Sequence, residues 1–259
     1  LLGYLFSRLL FNYYFYIFFI ALLFYFFSGL LFLKELRNKE NSLIIYIMML
    51  FFFPLFFAYD SLLNVTIRQG VAVIILWKFY FPIYDRGLKS CILIICLACF
   101  FHISAILYFF IYYILRLFKN EKYYILFFLI SSILYIFEIP IIFAELLKNT
   151  LEKVFFFKLD LAIFSYKEHI KLGFSVLKFL VIIIPFIGYV IFRKSSILQN
   201  SDTKKIWNVY LIICSIGMLM SGLPYHDRIM LYGWSWIPLL AIPFLEIIYI
   251  NFRKRKNVS

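Results

Sequence analysis

Long runs of apolar residues are the feature that most limits how this chain can fold. Leu9–Leu33, Gly173–Phe192 and Ile229–Ile250 each carry at most one charged residue, over roughly the 17–25 residues that cross a bilayer as a helix. Hydrophobic residues make up 65% of the 259 positions, against roughly 45–50% in soluble domains. The sequence therefore predicts an all-α, polytopic transmembrane helical bundle.

The basic residues lie in short clusters between these runs. The net charge is +13, but the clusters do not form one solvated basic face, so nucleic acid is not an expected partner. Clusters of positive charge are typical of cytoplasmic loops. Membrane lipids are expected to surround the protein. Seven spans are predicted on this basis: Leu9–Leu33, Leu43–Tyr59, Ile67–Tyr84, Tyr123–Leu147, Gly173–Phe192, Ile206–Leu223 and Ile229–Ile250.

The apolar run Cys91–Phe118 is predicted to be a re-entrant hairpin. Basic residues flank it on both sides, and a single span would place one of these clusters outside. A turn near His102–Ser104 leaves two arms of about 11–14 residues, too short for two full spans. Both ends of the run are then cytoplasmic.

The whole chain, residues 1–259, is expected to form a single integral membrane domain. The most polar segment, 148–172, is interpreted as an external, partly amphipathic region. The chain begins at Leu1 rather than Met and shows no signal-peptide pattern, and a missing N-terminal part is compatible with that start. The four cysteines fall in apolar segments and are interpreted as core residues, with no metal-binding spacing among them.

The stretch Asn64–Ala72 resembles a binding site. Thr66 and Gln69 have the spacing of a capping box, which places Arg68 in the first turn of a helix. A guanidinium beside the free amides of a helix start suits a phosphate or pyrophosphate. The alternative is an interfacial arginine that extends to lipid headgroups.

Two further polar motifs are expected on the same external side. His102 marks the turn of the hairpin, and Tyr225–Arg228 forms a tight outer turn between two spans. Each has a simpler interpretation, a buried core histidine in the first case and an ordinary capped turn in the second. We expect Arg68 and Arg228 to converge on one external cavity with His102 close by, because unpaired guanidinium groups near a bilayer are costly.

These motifs resemble the EpsG/Wzy-type polymerases of bacterial O-antigen and exopolysaccharide. The resemblance is carried by Ile67–Ala72, Phe101–Ala105 and the arginine-containing turn Tyr225–Arg228 followed by Tyr232, and it covers roughly Ser61–Leu240. That family usually has more spans than this chain, and the segment 148–172 carries no family motif. The resemblance implies a GT-C-like fold in the bacterial inner membrane.

The resemblance also implies a glycosyltransferase that joins undecaprenyl-pyrophosphate-linked oligosaccharides without a metal or other cofactor. A chain-length regulator is an expected protein partner. Pyrophosphate-binding candidates are Arg68, Gln69 and Arg228; candidates for the catalytic base are His102, His226 and Asp227; and substrate-binding candidates are Asn64, Ser104, Tyr225 and Tyr232.

Other functions stay open at this level. A lipid-linked sugar flippase would also need a basic membrane cavity, with charges lining a path to both faces. A membrane acyltransferase that modifies polysaccharide could use His102 as its base, and a structural membrane subunit needs no site. A nucleotide-sugar enzyme is disfavoured, because the external loops have no DxD-type acidic pair and no glycine-rich phosphate loop.

The hairpin interpretation predicts the side of the membrane on which its two ends lie. Lys89→Cys and Lys119→Cys, in a background without the four native cysteines, should both react with a membrane-impermeant thiol reagent only from the cytoplasmic side. Labelling from opposite sides would instead make Cys91–Phe118 one long span.

Overall fold

The structure is a computed structural model that describes residues 67–84, 87–146, 172–223 and 226–256. These residues form α-helices and one 3-10 turn, and no β-strand occurs among them. The predicted spans Leu9–Leu33 and Leu43–Tyr59, and nearly all of the segment 148–172, lie outside the described residues. The all-α class is thus confirmed for the part of the chain that is described.

The helices are numbered here in chain order. They are α1 (Ile67–Tyr84), α2 (Leu88–Phe101), a 3-10 turn (Ile103–Ile106), α3 (Leu107–Leu117), α4 (Glu121–Ile136), α5 (Ile139–Leu146), α6 (Val176–Phe192), α7 (Ser201–Leu219), α8 (His226–Trp234) and α9 (Ile237–Lys256). They fall into two compact units, one with residues up to Tyr112 and from Ile248 onward, the other with Tyr113–Ile247.

In the first unit α1 packs along α2 and contacts the 3-10 turn. Only three residues, 85–87, connect α1 to α2, so the two helices run antiparallel. The C-terminal end of α2 therefore lies beside the N-terminal end of α1. The predicted span Ile67–Tyr84 agrees with α1, and Thr66, its predicted cap, lies outside the described residues.

The predicted break near His102 is present. His102 adopts an extended conformation, with φ of −150°, between α2 and the 3-10 turn. The helices on its two sides have 14 and 11 residues, which matches the predicted arms. The return of both arms to the cytoplasmic side stays a prediction.

The second unit is built around α7. From Val209 to Ser215 every residue of this helix is buried. Helices α4 and α8 pack against it, and α6 joins it through Tyr189, whose ring centroid lies 4.6 Å from that of Trp207. The Tyr210 hydroxyl donates to the carbonyl of Ile182, 2.7 Å away. This bond ties α7 to the middle of α6, three residues before Pro185.

Several helix boundaries differ from the sequence predictions; α6, for example, begins at Val176 rather than Gly173, and α7 ends at Leu219 rather than Leu223. Three further differences have a clear physical reason. The span Tyr123–Leu147 is broken into α4 and α5, which meet at 78°, because Glu138 has a left-handed φ of 56° and Pro140 has no N–H to continue α4. The residues His226–Arg228 form the first turn of α8 rather than a loop. Helix α7 starts at Ser201 instead of Ile206, because the hydropathy pattern marks where a helix becomes apolar and not where it begins.

Membrane crossing is supported by helix length and by exposed apolar surface. The stretch His226–Asn251, which covers α8 and most of α9, is long and apolar enough to cross a bilayer. Among the described residues, the bent pair α4 and α5 is a second candidate if the two helices are counted as one span. Helices α2, α3, α4 and α6 expose large apolar side chains, such as Leu93, Phe100 and Leu177. Such faces are stable in contact with lipid and costly in water.

The close approach of α5 to the end of α7 generates a test of the second unit. A Cβ added at Gly222 would lie 2.8 Å from the Pro140 carbonyl carbon and 2.9 Å from Ile141 Cα, and backbone atoms cannot move aside as a side chain can. We expect Gly222→Ala to destabilise the protein by about 1–3 kcal/mol, measured as a lower melting temperature in detergent. Gly188→Ala is the matched control, because its Cβ would meet only the Phe244 ring at 3.4 Å.

Candidate functional site

The most polar part of the second unit is a cluster of Lys178, Asp227 and His226. The Lys178 ammonium lies 2.5 Å from Oδ1 of Asp227, and Nε2 of His226 lies 3.0 Å from the same oxygen. The histidine side chain is fully buried, while that of Asp227 is 43% exposed and that of Lys178 is 24% exposed. The cluster therefore has a buried side and an open side.

Two helix starts bring these residues together. Lys178 is the third residue of α6, and Asp227 is the second residue of α8. Both helices thus present free amides and the positive end of the helix dipole at the cluster. Asp227 is favoured there, whereas a lysine in the first turn opposes the dipole, by roughly 0.3–1 kcal/mol in exposed helices. The Lys178 position is explained by its carboxylate partner and not by its own helix.

The ring of His226 lies between a backbone carbonyl and the Asp227 carboxylate. Nδ1 lies 3.1 Å from the carbonyl oxygen of Leu223. Because a carbonyl oxygen only accepts, this contact requires the proton on Nδ1. Nε2 is at ion-pair distance from Asp227 but outside hydrogen-bond geometry. The burial of the ring keeps it from direct contact with a substrate.

The backbone just before α6 is tied to the same end of the unit by three consecutive amides. Gly173 N–H donates to the Ser221 carbonyl at 3.0 Å, Phe174 N–H to Oε1 of Glu138 at 3.3 Å, and Ser175 N–H to the Tyr135 hydroxyl at 3.0 Å. The acceptors belong to the ends of α7 and α4. These bonds fix where the chain returns from the segment 147–171 to the helical unit.

The first unit also has a group of polar residues, Gln69, His102 and Ser104, which lies where α1 begins and α2 ends. Nδ1 of His102 is 2.5 Å from the Ser104 hydroxyl oxygen. Gln69, in the first turn of α1, is fully buried. Because the two helices are antiparallel and α1 contacts the 3-10 turn, the first turn of α1 and the His102–Ser104 pair share one end of this unit.

The sequence model of the EpsG family matches residues 1–258, practically the whole chain. The chain belongs to the EpsG family. This membership points to a membrane protein of polysaccharide biosynthesis with a polymerase-type, glycosyltransferase-like role. No curated protein and no solved structure matches the chain.

The predicted site residues of this EpsG-family protein differ in their positions in the fold. Arg68 lies in the first turn of α1, and Arg228 is exposed in the first turn of α8. Tyr232 is fully buried within the second unit, which favours a packing role. Asn64 and Tyr225 lie outside the described residues. Arg68 and Arg228 belong to different units, and their predicted convergence stays a prediction.

Lys178, Tyr135 and Glu138 were not among the sequence candidates. Lys178 carried a usable signal, because it is the only charged residue within the apolar run Gly173–Phe192, and an ionisable residue at membrane depth is a functional candidate by default. Glu138 carried a weaker form of the same signal, as one of two charged residues in the predicted span Tyr123–Leu147. Tyr135 had none, because its role depends on an amide 40 residues further along the chain.

The three-amide attachment generates a prediction for Tyr135. Tyr135→Phe keeps the buried ring but removes the acceptor for Ser175 N–H. We expect a loss of on the order of 1 kcal/mol in stability, and faster hydrogen exchange at Gly173–Ser175 in detergent or nanodiscs. Tyr123→Phe is the control, since that tyrosine is exposed at the other end of α4. Unchanged exchange in Tyr135→Phe would contradict the role of its hydroxyl.

Proposed function

We propose that this EpsG-family protein is a polysaccharide polymerase of the bacterial inner membrane. It would be a multi-pass glycosyltransferase that joins undecaprenyl-pyrophosphate-linked repeat units at the external face, as in O-antigen or exopolysaccharide synthesis, without a metal or other cofactor. The observation that carries the proposal is the family match over residues 1–258. Its partners would be the lipid-linked oligosaccharide, membrane lipids and a chain-length regulator.

Positive charge would serve the donor side of the reaction. A pyrophosphate leaving group gains negative charge as the glycosidic bond breaks, and preorganised donors stabilise that charge. Arg68 and Gln69 at the start of α1, and Arg228 at the start of α8, are the residues proposed for this role. The free amides at these helix starts add to it.

A base for the acceptor hydroxyl would come from His102, His226 or Asp227. In the cluster of Lys178, Asp227 and His226, the Asp227 side chain is the most exposed to solvent, whereas the His226 side chain is fully buried. His102 is partly buried and is hydrogen-bonded to Ser104. Ser104, Asn64 and Tyr225 are proposed to contact substrate, whereas the burial of Tyr232 argues against that role for it. The geometry therefore favours Asp227 as the residue that meets the acceptor, with His226 behind it.

Deletion of the gene tests the proposed activity directly. We expect surface polysaccharide to be reduced to single repeat units, and complementation with the intact chain to restore long chains on a polysaccharide gel. Complete loss of surface polysaccharide would favour the flippase alternative. Chains of normal length that lack an acyl group would favour the acyltransferase.

The deletion strain also allows a test of Arg68. Arg68→Lys should lose nearly as much chain length as Arg68→Ala, because a lysine cannot reproduce the planar two-point contact of a guanidinium with phosphate. Gel profiles at matched protein levels measure the effect. Arg116→Lys, an exposed arginine in the last turn of α3, is the control. Full activity of Arg68→Lys would rule out a two-point phosphate contact.

A further inference from the structure

We infer that Lys178 is a positioning residue for glycosyl transfer: with His226 it holds Oδ1 of Asp227, so that Oδ2 is presented to the acceptor hydroxyl. The inference rests on the proposed function and adds to it a residue outside the sequence candidates. It also specifies how the carboxylate would be oriented toward its substrate, an alcohol group of a sugar.

The contacts of the Asp227 carboxylate are one-sided. Within the described part of the chain, Lys178 and His226 both approach the same atom, Oδ1, at 2.5 Å and 3.0 Å. The side chain nevertheless remains 43% exposed. A carboxylate has two oxygens that can each accept hydrogen bonds. Anchoring through one of them fixes the direction of the other.

Ionisable side chains from three helices surround Asp227. Lys178 comes from α6, His226 and Arg228 come from α8, and Tyr135 of α4 lies within electrostatic range of both Asp227 and Glu138. The positive charge of Lys178 lies near the positive end of its own helix dipole, which is unfavourable. That position has a physical reason if the ammonium serves to hold Asp227 ionised and fixed.

The chemical step can be written with all atoms accounted for. The acceptor hydroxyl oxygen forms a bond to the anomeric carbon of the donor, while the bond between that carbon and the pyrophosphate oxygen breaks. The electron pair of the broken bond leaves with the lipid pyrophosphate, and the hydroxyl proton passes to Oδ2 of Asp227 and then to water. Asp227 is the catalytic residue of this step. Lys178 acts through it.

Lys178→Met, Lys178→Gln and Lys178→Arg test this role through the pH dependence of polymerisation. Right-side-out membrane vesicles from the deletion strain, carrying each variant, would be supplied with their own accumulated lipid-linked repeat units. Polymer formation would be followed as the external pH is varied. Lys194→Met removes a lysine beyond the other end of α6 and is the matched control.

The expected result is a change on the acidic side of the curve of polymerisation rate against pH. The Lys178→Met and Lys178→Gln variants lack a cation that favours the carboxylate, so activity should be lost at a higher pH than in the wild type, with a shift on the order of one pH unit. Lys178→Arg is the conservative replacement and should keep the wild-type limb, as should the Lys194→Met control. Lys178→Gln retains a polar donor and keeps the test valid if Lys178→Met does not accumulate in the membrane.

Two other results would overturn the inference in distinguishable ways. A lower rate with an unmoved acidic limb in both the Met and the Gln variants would make Lys178 a structural residue only. Vesicles with the wild-type chain that form no polymer would instead refute the proposed function, and the role of Lys178 would fall with it.

Discussion

Backbone groups at helix ends must find hydrogen-bond partners within the protein, because lipid offers none. The described breaks obey this constraint. His102 N–H bonds to the Ala98 carbonyl, and Glu138 N–H bonds to that of Tyr135. Ser235 N–H bonds to the carbonyl of Leu231. Polar side chains collect at such ends because they supply further partners, and the same ends carry free amides that can bind an anion. The candidate site residues of this chain thus lie mainly where helices stop and start.

The sequence was sufficient for features that depend on local pattern. The apolar run and its flanks gave the bounds of α1, and the polar residues within the run Cys91–Phe118 located the break at His102. The capping-box spacing of Thr66 and Gln69 placed Arg68 in the first turn of a helix, where the structure has it. These predictions succeed because apolar periodicity, charge and helix breaking each act over only a few neighbouring residues.

Features that depend on distant partners could not be predicted in this way. Lys178 and Asp227 are 49 positions apart, and only the packing of α6 and α8 in one unit brings them together. The 78° bend between α4 and α5 depends on a left-handed Glu138, a conformation that few non-glycine residues adopt. Pro140 was a signal for this bend, but hydropathy around it favoured one continuous span.

The attachment of Gly173–Ser175 has a consequence for how the family can diverge. Its donors are main-chain amides, so replacement of Phe174 or Ser175 by another residue with an N–H leaves the donors in place. Gly173 is different, because its φ of 91° is one that side-chain-bearing residues rarely adopt, so a substitution there is strained. The point at which the chain re-enters the helical unit, three residues before Lys178, is therefore fixed by main-chain groups whatever side chains positions 174 and 175 carry.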